Sequence, residues 1–254
     1  MEEKVMSQEK KTVLITGGAS GMGLLLGQCY AREGANVVLA DVNKEALDAA
    51  VADIRTYHSE VIGVAVDVRC YDQVVAVRDA AVEHFGSIDI LICCAGGAET
   101  RIMKKSGKFW DIPIETYDFG IDVNLKGALY FDHAVMAQMV KQEHGVIIHL
   151  GSITGEEGSP NNIAYSASKA ALMGGMTKSV ALAGAEHNIR CVCIAPGPVL
   201  TRAAMANMKT LAGRAAEPQE IVDMIMYAAS EKCDFLNGTC ILMDGGRHIM
   251  WNKS

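Results

Sequence analysis

Residues 12–34 read TVLITGGASGMGLLLGQCYAREG. The first five are a short apolar run rich in β-branched residues, closed by the glycine pair Gly17-Gly18. The next segment, from Gly21, carries the composition of a helix and ends near Gly34. A second apolar run, NVVLAD (Asn36–Asp41), follows at once. Strand, tight glycine turn, helix, strand is a βαβ unit. Its strands are apolar almost throughout rather than alternating, as expected when both faces are covered.

The same alternation continues to the end of the chain. NKEALDAAVADIRTY predicts a second helix, VIGVAVDV (Val61–Val68) a third strand, and 72–85 a helix. IDILICCAG predicts a fourth strand and 116–142 a long helix containing Asn124. GVIIHLGS predicts a fifth strand, 164–186 a long helix rich in small residues, and IRCVCIAPG a sixth strand. Residues 217–230 predict a last helix and GTCILMDGG a last strand. Short links between strands and helices give right-handed crossovers. The expectation is an α/β fold: one domain, a doubly wound, Rossmann-like parallel sheet with helices on both faces. Residues 1–10 are expected to be a flexible leader, 11–254 the domain, and 200–214 a short lid.

Composition narrows the function classes. The 254 residues are half hydrophobic, enough for a sizeable core, and the net charge is -7. That charge argues against a nucleic-acid binder, which would present a basic face. No apolar run is long enough to span a bilayer, and the polar start MEEKVMSQEKK does not read as a secretory signal. The eight cysteines include no C-x-x-C and no zinc-like Cys/His spacing, so no metal is expected. They read as reduced core residues of a cytoplasmic protein.

TGGASGMG (Thr16–Gly23) joins the first strand to the first helix. Glycines there let backbone approach a pyrophosphate, and a helix N-terminus offers free N–H groups and positive dipole. Asp41 ends the second strand, where an acid can accept hydrogen bonds from a ribose diol. The plain alternative is a helix cap at Asp41 or Asn43. An acid at 41 repels a 2′-phosphate, and the glycine loop has no Arg or Lys, so NAD is expected over NADP. Tyr165 and Lys169 lie at i and i+4, on one face of a helix. A nearby ammonium favours phenolate, which suits a tyrosine to general acid–base work. Ser152 ends the fifth strand, at the edge where such sheets place ligands.

The set TGGASGMG, Asp67, Cys93-Cys94-Ala95-Gly96, Asn124, Ser152, Tyr165-x-x-x-Lys169, PGPVLT (Pro196–Thr201) and GTCILMDGG resembles the short-chain dehydrogenase/reductase family, in order and spacing, from Lys11 to Gly246. The resemblance implies a catalytic tetrad. Tyr165 would exchange the proton with the substrate oxygen, and Lys169 would hold the nicotinamide ribose. Ser152 would bind the substrate oxygen, and Asn124 would hold a relay water. It implies phosphate contacts from Gly17, Ser20, Gly21, Met22 and Gly23, and a ribose contact from Asp41. Asp67 and Val68 would hold the adenine, Cys94, Ala95 and Gly96 would approach its ribose, and Pro196, Gly197, Val199 and Thr201 would hold the nicotinamide end. The implied activity is NAD-dependent interconversion of a secondary alcohol and a ketone. The implied assembly is a homotetramer built through the two long helices. Alternatives are an NADPH-dependent carbonyl or acyl-carrier reductase, and a non-catalytic NAD-binding regulator. His144 and His149 receive no role.

Where Cys93 and Cys94 stand, the family commonly has two asparagines. Adjacent strand residues point to opposite faces, so the two thiols are not expected to pair. Substrate information is expected in 97–111, 152–162 and 200–214. The first carries Arg101, Lys104, Lys105 and Lys108 beside Phe109 and Trp110, readable as a solvated basic loop or as an attractor for an anionic substrate. In the second, Glu156, Glu157, Asn161 and Asn162 are placed to meet substrate hydroxyls or to be plain turn residues. A polar, hydroxylated substrate is the preferred reading.

Overall fold

The apolar runs come together as one sheet of seven parallel strands, ordered β3-β2-β1-β4-β5-β6-β7 in the computed structural model, which describes residues 10–251. All of the expected leader except Lys10 lies outside the described residues. The strands are β1 (Thr12–Thr16), β2 (Asn36–Asp41), β3 (Val61–Ala65), β4 (Ile90–Cys93), β5 (Gly145–Leu150), β6 (Ile189–Pro196) and β7 (Thr239–Met243). The helices are α1 (Gly21–Arg32), α2 (Lys44–Arg55), α3 (Tyr71–Phe85), a single turn α4 (Glu99–Ile102), α5 (Ile114–Ile121), α6 (Gly127–Gln142), a second single turn α7 (Thr154–Glu157), α8 (Ile163–Ala171), α9 (Thr177–Gly184) and α10 (Pro218–Ala229). Among the described residues no helix is long and apolar enough to cross a membrane.

The strands other than β2 are shorter at their ends than the apolar runs suggested, and the difference at the third strand bears on the site. The third strand stops at Ala65, because its neighbour β2 ends at Asp41, opposite it in register. Beyond that point the backbone N–H of Asp67 turns to the Gln73 side chain instead (2.9 Å). Each of the two long helices is also interrupted. A π turn at Asp122–Lys126 joins α5 to α6, and another at Leu172–Met176 joins α8 to α9. Such widened turns recur at functional sites. The first of them contains Asn124.

Alternate residues of each central strand feed two separate cores, which explains the unbroken apolar runs. Val13, Ile15, Ile90 and Ile92 pack with Leu26 of α1, Leu47 of α2 and Ile225 of α10. Leu14, Leu91 and Cys93 point the other way, to Val77 of α3, Phe131 of α6 and Ala181 of α9. Cys94 packs against the first core and Cys93 lies in the second, so the adjacent thiols face opposite sides and both are free. After β3 the chain returns to place β4 on the other side of β1. The helices leave from opposite faces there, and a crevice opens at the carboxyl ends of β1 and β4.

The second core contains a polar network that the apolar pattern does not announce. His149 of β5 sits opposite Cys93 in register and is fully buried. The Thr177 hydroxyl donates to the Leu172 carbonyl (2.6 Å). Its oxygen is therefore left to accept from His149 Nδ1–H (2.8 Å). His149 Nε2 lies 2.9 Å from the buried carboxylate of Asp132, and the Cys191 thiol is 3.7 Å from Nδ1. Burial pulls the imidazole pKa down. The Asp132 charge and the Cys191 group overcome it and raise the pKa from 6.5 to about 10.

A histidine whose folded pKa is raised contributes stability that is fully present below its unfolded pKa and lost as pH rises through the folded one. The stability difference between the wild type and the double variant His149→Asn/Asp132→Asn is therefore expected to be constant up to about pH 6.5 and to shrink as pH climbs through about 10. Asp132→Asn alone, which leaves the imidazolium without its partner, is expected to cost about 3–5 kcal/mol in urea unfolding at pH 7. A difference that stays flat from pH 6 to pH 11 would sink the ion-pair reading.

Candidate active site

A cleft of about 600 Å³ runs along the carboxyl ends of the central strands. Its walls include Gly17, Ser20, Gly21, Met22, Gly23, Asp41, Asp67, Val68, Cys94, Ala95, Gly96, Tyr165, Lys169 and Thr201. These come from segments spread over most of the chain, and all were named from the sequence. Asn124, Ser152, Pro196, Gly197 and Val199 are not part of the wall.

The first end of the cleft is built from β1, the loop after it, and β2. Gly17 has a φ of 67°, and a Cβ there would meet the backbone of Ala95 at 3.0 Å. A side chain would thus push β1 and β4 apart. The chain then turns into α1, whose N-terminal amides face the cleft. Asp41 Oδ2 accepts from Ala19 N (3.0 Å) and Oδ1 from Asn43 N (2.9 Å). Each oxygen keeps acceptor capacity for a ligand. The helix cap weighed as an alternative for Asp41 is supplied by Asn43, which accepts from Ala46 N (3.1 Å). Asp67 meets Arg69 in a two-point ion pair (2.9 and 2.6 Å), and that hydrogen bonding holds its carboxyl below the usual range. The Arg69 guanidinium lies over the Phe119 ring at 5.1 Å. Burial pushes the Cys94 thiol up to about 12.

The other end is carried by α8. Lys169 Nζ is buried, donates to the Leu150 carbonyl (2.6 Å) and stands 5.5 Å from the centre of the Tyr165 ring. Ser152 ends the β5 edge, and its Oγ accepts from Thr154 N (3.2 Å). Ile153 N donates to Pro196 O (2.8 Å) and Gly197 N to Met243 O (2.8 Å), which ties the edges of β5, β6 and β7 together. Pro196 and Gly197 therefore shape the loop, and the Val199 side chain is buried in the first core. Thr201 alone of that motif reaches the cleft wall.

Asn124 is buried, and its side chain is bonded to neighbouring backbone. Its Oδ1 accepts from Gly97 N (2.8 Å), and Nδ2 donates to Gly97 O (3.1 Å) and Gly120 O (2.8 Å). One amide proton and the amide oxygen thus fasten Gly97, and the other proton ties Asn124 to the Gly120 carbonyl one turn back in the same helix.

The sequence reading missed Glu99. Its side chain is fully buried and accepts from the backbone amides of Ala164 (3.0 Å) and Tyr165 (3.1 Å). These are free N–H groups in the first turn of α8, whose own N-cap, Asn162, makes no side-chain cap. A carboxylate from α4 thus caps the helix that carries Tyr165 and Lys169. Thr100 Oγ1 adds a second link, to Asn162 Oδ1 (2.6 Å). The only sequence signal is an acid two residues after a glycine pair, which has no distinctive spacing. Asn162 and Glu157 also turn out to have protein partners, the latter in an ion pair with Arg247 (3.1 Å). Of the basic residues in that loop Arg101 lines the cleft and the three lysines do not, and Trp110, 74% exposed, stands in solvent with Lys108 over its ring.

Replacing Glu99 by Ala leaves two buried amides without an acceptor. The expected cost is about 1–3 kcal/mol of stability for each such group, read by chemical unfolding. Glu99→Gln, which keeps one acceptor oxygen, is expected to lose less than Glu99→Ala; equal losses would show that the cap is not what Glu99 supplies.

The family described as short chain dehydrogenase matches residues 11–212. The 3-oxoacyl-(acyl-carrier-protein) reductase FabG of Thermotoga maritima is 33% identical over 250 residues, covering 95% of this chain and 99% of that protein. A 2-dehydro-3-deoxy-L-rhamnonate dehydrogenase (NAD(+)) of Sphingomonas sp. is 33% identical over 246 residues, covering 93% and 95%. A short chain dehydrogenase structure from Bacillus anthracis superimposes with a TM-score of 0.85 at 32% identity, covering 96% and 99%. With the sheet order and the composition of the cleft, these matches place the chain in the short chain dehydrogenase family, whose members are oxidoreductases.

Proposed function

We propose that the protein is an NAD-dependent dehydrogenase that interconverts a secondary alcohol and a ketone. The carrying observation is that one cleft holds the Gly17–Gly23 loop and Asp41 at one end and the Tyr165–Lys169 pair at the other. The residues fit a dinucleotide: Gly17 leaves space that a side chain would fill, α1 offers its N-terminal amides, and Asp41 retains free acceptor capacity. Gly17, Ser20, Gly21, Met22 and Gly23 would hold the phosphates, Asp41 the adenosine ribose, and Asp67, Val68, Cys94, Ala95 and Gly96 the remainder of that half. Pro196, Gly197, Val199 and Thr201 would shape the nicotinamide end. Bound nicotinamide supplies the hydride chemistry.

The protein's own residues supply the proton chemistry and the positioning. The Tyr165 hydroxyl takes the proton from an alcohol oxygen, or returns it to a ketone oxygen. The Lys169 ammonium, fixed by the Leu150 carbonyl, offsets negative charge as the proton leaves. Ser152 Oγ donates to the substrate oxygen. Asn124 acts through Gly97, fixing the segment that leads to Glu99 and so to α8. Asp41 and the neighbouring Val42, 73% exposed and uncharged, support NAD over NADP. The reductase reading is served by the FabG similarity, but among the described residues the cation on the cleft wall near Asp41, Arg69, is held by Asp67. We also propose a homotetramer built through the long helices, supported by Leu129 on α6 and Leu182 on α9, which stand 48% and 79% exposed.

Tyr165→Phe is expected to cut kcat by about 10²–10⁴-fold while NADH binding, followed by fluorescence, is largely retained. A variant with near-wild-type kcat would remove Tyr165 from the mechanism. NAD is expected to exceed NADP in kcat/KM by at least about tenfold, since a 2′-phosphate would face the Asp41 carboxylate. Comparable values for the two cofactors would overturn the cofactor assignment.

A further inference from the structure

The substrate end of the cleft carries two arginines. Arg101 on α4 and Arg202, directly after Thr201, line it together with Tyr165 and Lys169. Arg101 is near enough to both Arg202 and Tyr165 to be acted on by each. Burial lowers the Arg101 pKa, the Arg202 charge lowers it further, and Tyr165 raises it. The Arg101 guanidinium lies against Gly97, and a Cβ at that residue would collide with Nη2. Gly97 is in turn held on both its backbone groups by Asn124. The seat of this guanidinium is therefore fixed by the same clamp that fixes the segment leading to Glu99.

Neither arginine meets an acid among the described residues; the one polar contact is between Arg202 Nη2 and the Met205 sulfur (4.0 Å). Elsewhere Arg69, Arg78, Arg190, Arg214 and Arg247 each pair with a carboxylate, while Arg32 lies over the Tyr57 ring and Arg55 donates to the Val61 carbonyl, both away from the cleft. In a chain of net charge -7, counter-ions are plentiful. Two like charges that repel each other and remain without an acid mark a place where a ligand supplies the anion. The glycine loop and the α1 N-terminus already provide for phosphates at the far end of the cleft. A planar guanidinium fork is matched by a carboxylate, with two parallel N–H···O bonds.

We propose that Arg101 and Arg202 bind the carboxylate of the substrate, so that the site takes hydroxy acids and the corresponding oxo acids. This rests on the dehydrogenase reading above and specifies its substrate class. The carboxylate takes no part in the chemistry. It anchors the molecule so that the carbinol oxygen lies toward Tyr165. Lys104, Lys105 and Lys108 do not line the cleft, so they contribute no contact there.

The test is a fluorescence titration of the NADH-loaded protein with butanoate, cyclohexanecarboxylate and benzoate, each against its own amide. At least one acid is expected to bind about tenfold or more tightly than its amide, as for hydrogen bonds to a charged group. The double variant Arg101→Met/Arg202→Met, both sites being exposed, is expected to keep its melting temperature and lose that discrimination. Equal affinity for every acid and amide, or discrimination that survives in the variant, overturns the proposal. So does a site that takes cyclohexyl phosphate and none of the acids. A variant that loses NADH affinity with its acid preference intact assigns the arginines to the cofactor phosphates, and also overturns it. Turnover of neutral alcohols with no preference for hydroxy acids over their methyl esters would end this inference and leave the dehydrogenase reading standing. Acid discrimination with no turnover of any alcohol would do the reverse.

Discussion

At the carboxyl ends of β1 and β4 the backbone of Gly17 lies against that of Cys94 and Ala95, with no room for a side chain. That contact sets where the two central strands end and how close the loop after β1 comes to the loop after β4. The sheet order turns at this point, so helices depart to opposite faces and leave the crevice. Every group in the cleft is placed relative to it. Asp41 reaches the Ala19 amide of the same glycine loop. Ala95 N donates to Thr16 Oγ1 (3.0 Å), so the two strand ends are bonded as well as packed.

From Ala95 the chain leads directly into the support of the end that carries Tyr165 and Lys169. Gly97 is clamped by Asn124, which sits in the π turn between α5 and α6. Two residues later Glu99 caps α8, and α8 carries Tyr165 and Lys169. The segment 95–101 is thus a short mechanical link between the two ends of the cleft. It also presents Arg101. The buried Glu99 side chain is held there by two backbone amides at the start of α8.

The cysteine pair that interrupts the expected asparagines has separate surroundings on each side. Cys94 packs toward the first core beside the cleft. Cys93 lies with its sulfur 3.9 Å from Asp132 Oδ1, next to the His149 network. An asparagine amide would have joined neighbouring strand ends by hydrogen bonds. In this chain that task on the Cys93 side falls to an imidazole–carboxylate pair reaching from β5 to α6 and to Thr177 of α9.

The apolar runs and glycine turns of the chain specified seven strands, their parallel arrangement and the helices between them, because strands buried on both faces carry a local signature. The Gly17–Gly23 loop, Asp41 and the Tyr165–Lys169 spacing were equally legible, since the geometry of one turn or one helix face relates their residues. What tertiary structure alone decided are the partnerships between distant segments. Glu99 caps a helix 65 residues away, His149 meets Asp132 and Thr177, the Asn124 amide holds Gly97, and Arg202 lines the same cleft as Arg101. None of these pairs has a fixed sequence spacing. Each exists because packing brings two backbones or side chains within hydrogen-bonding or Coulomb range, and a single sequence read along its length does not contain that distance.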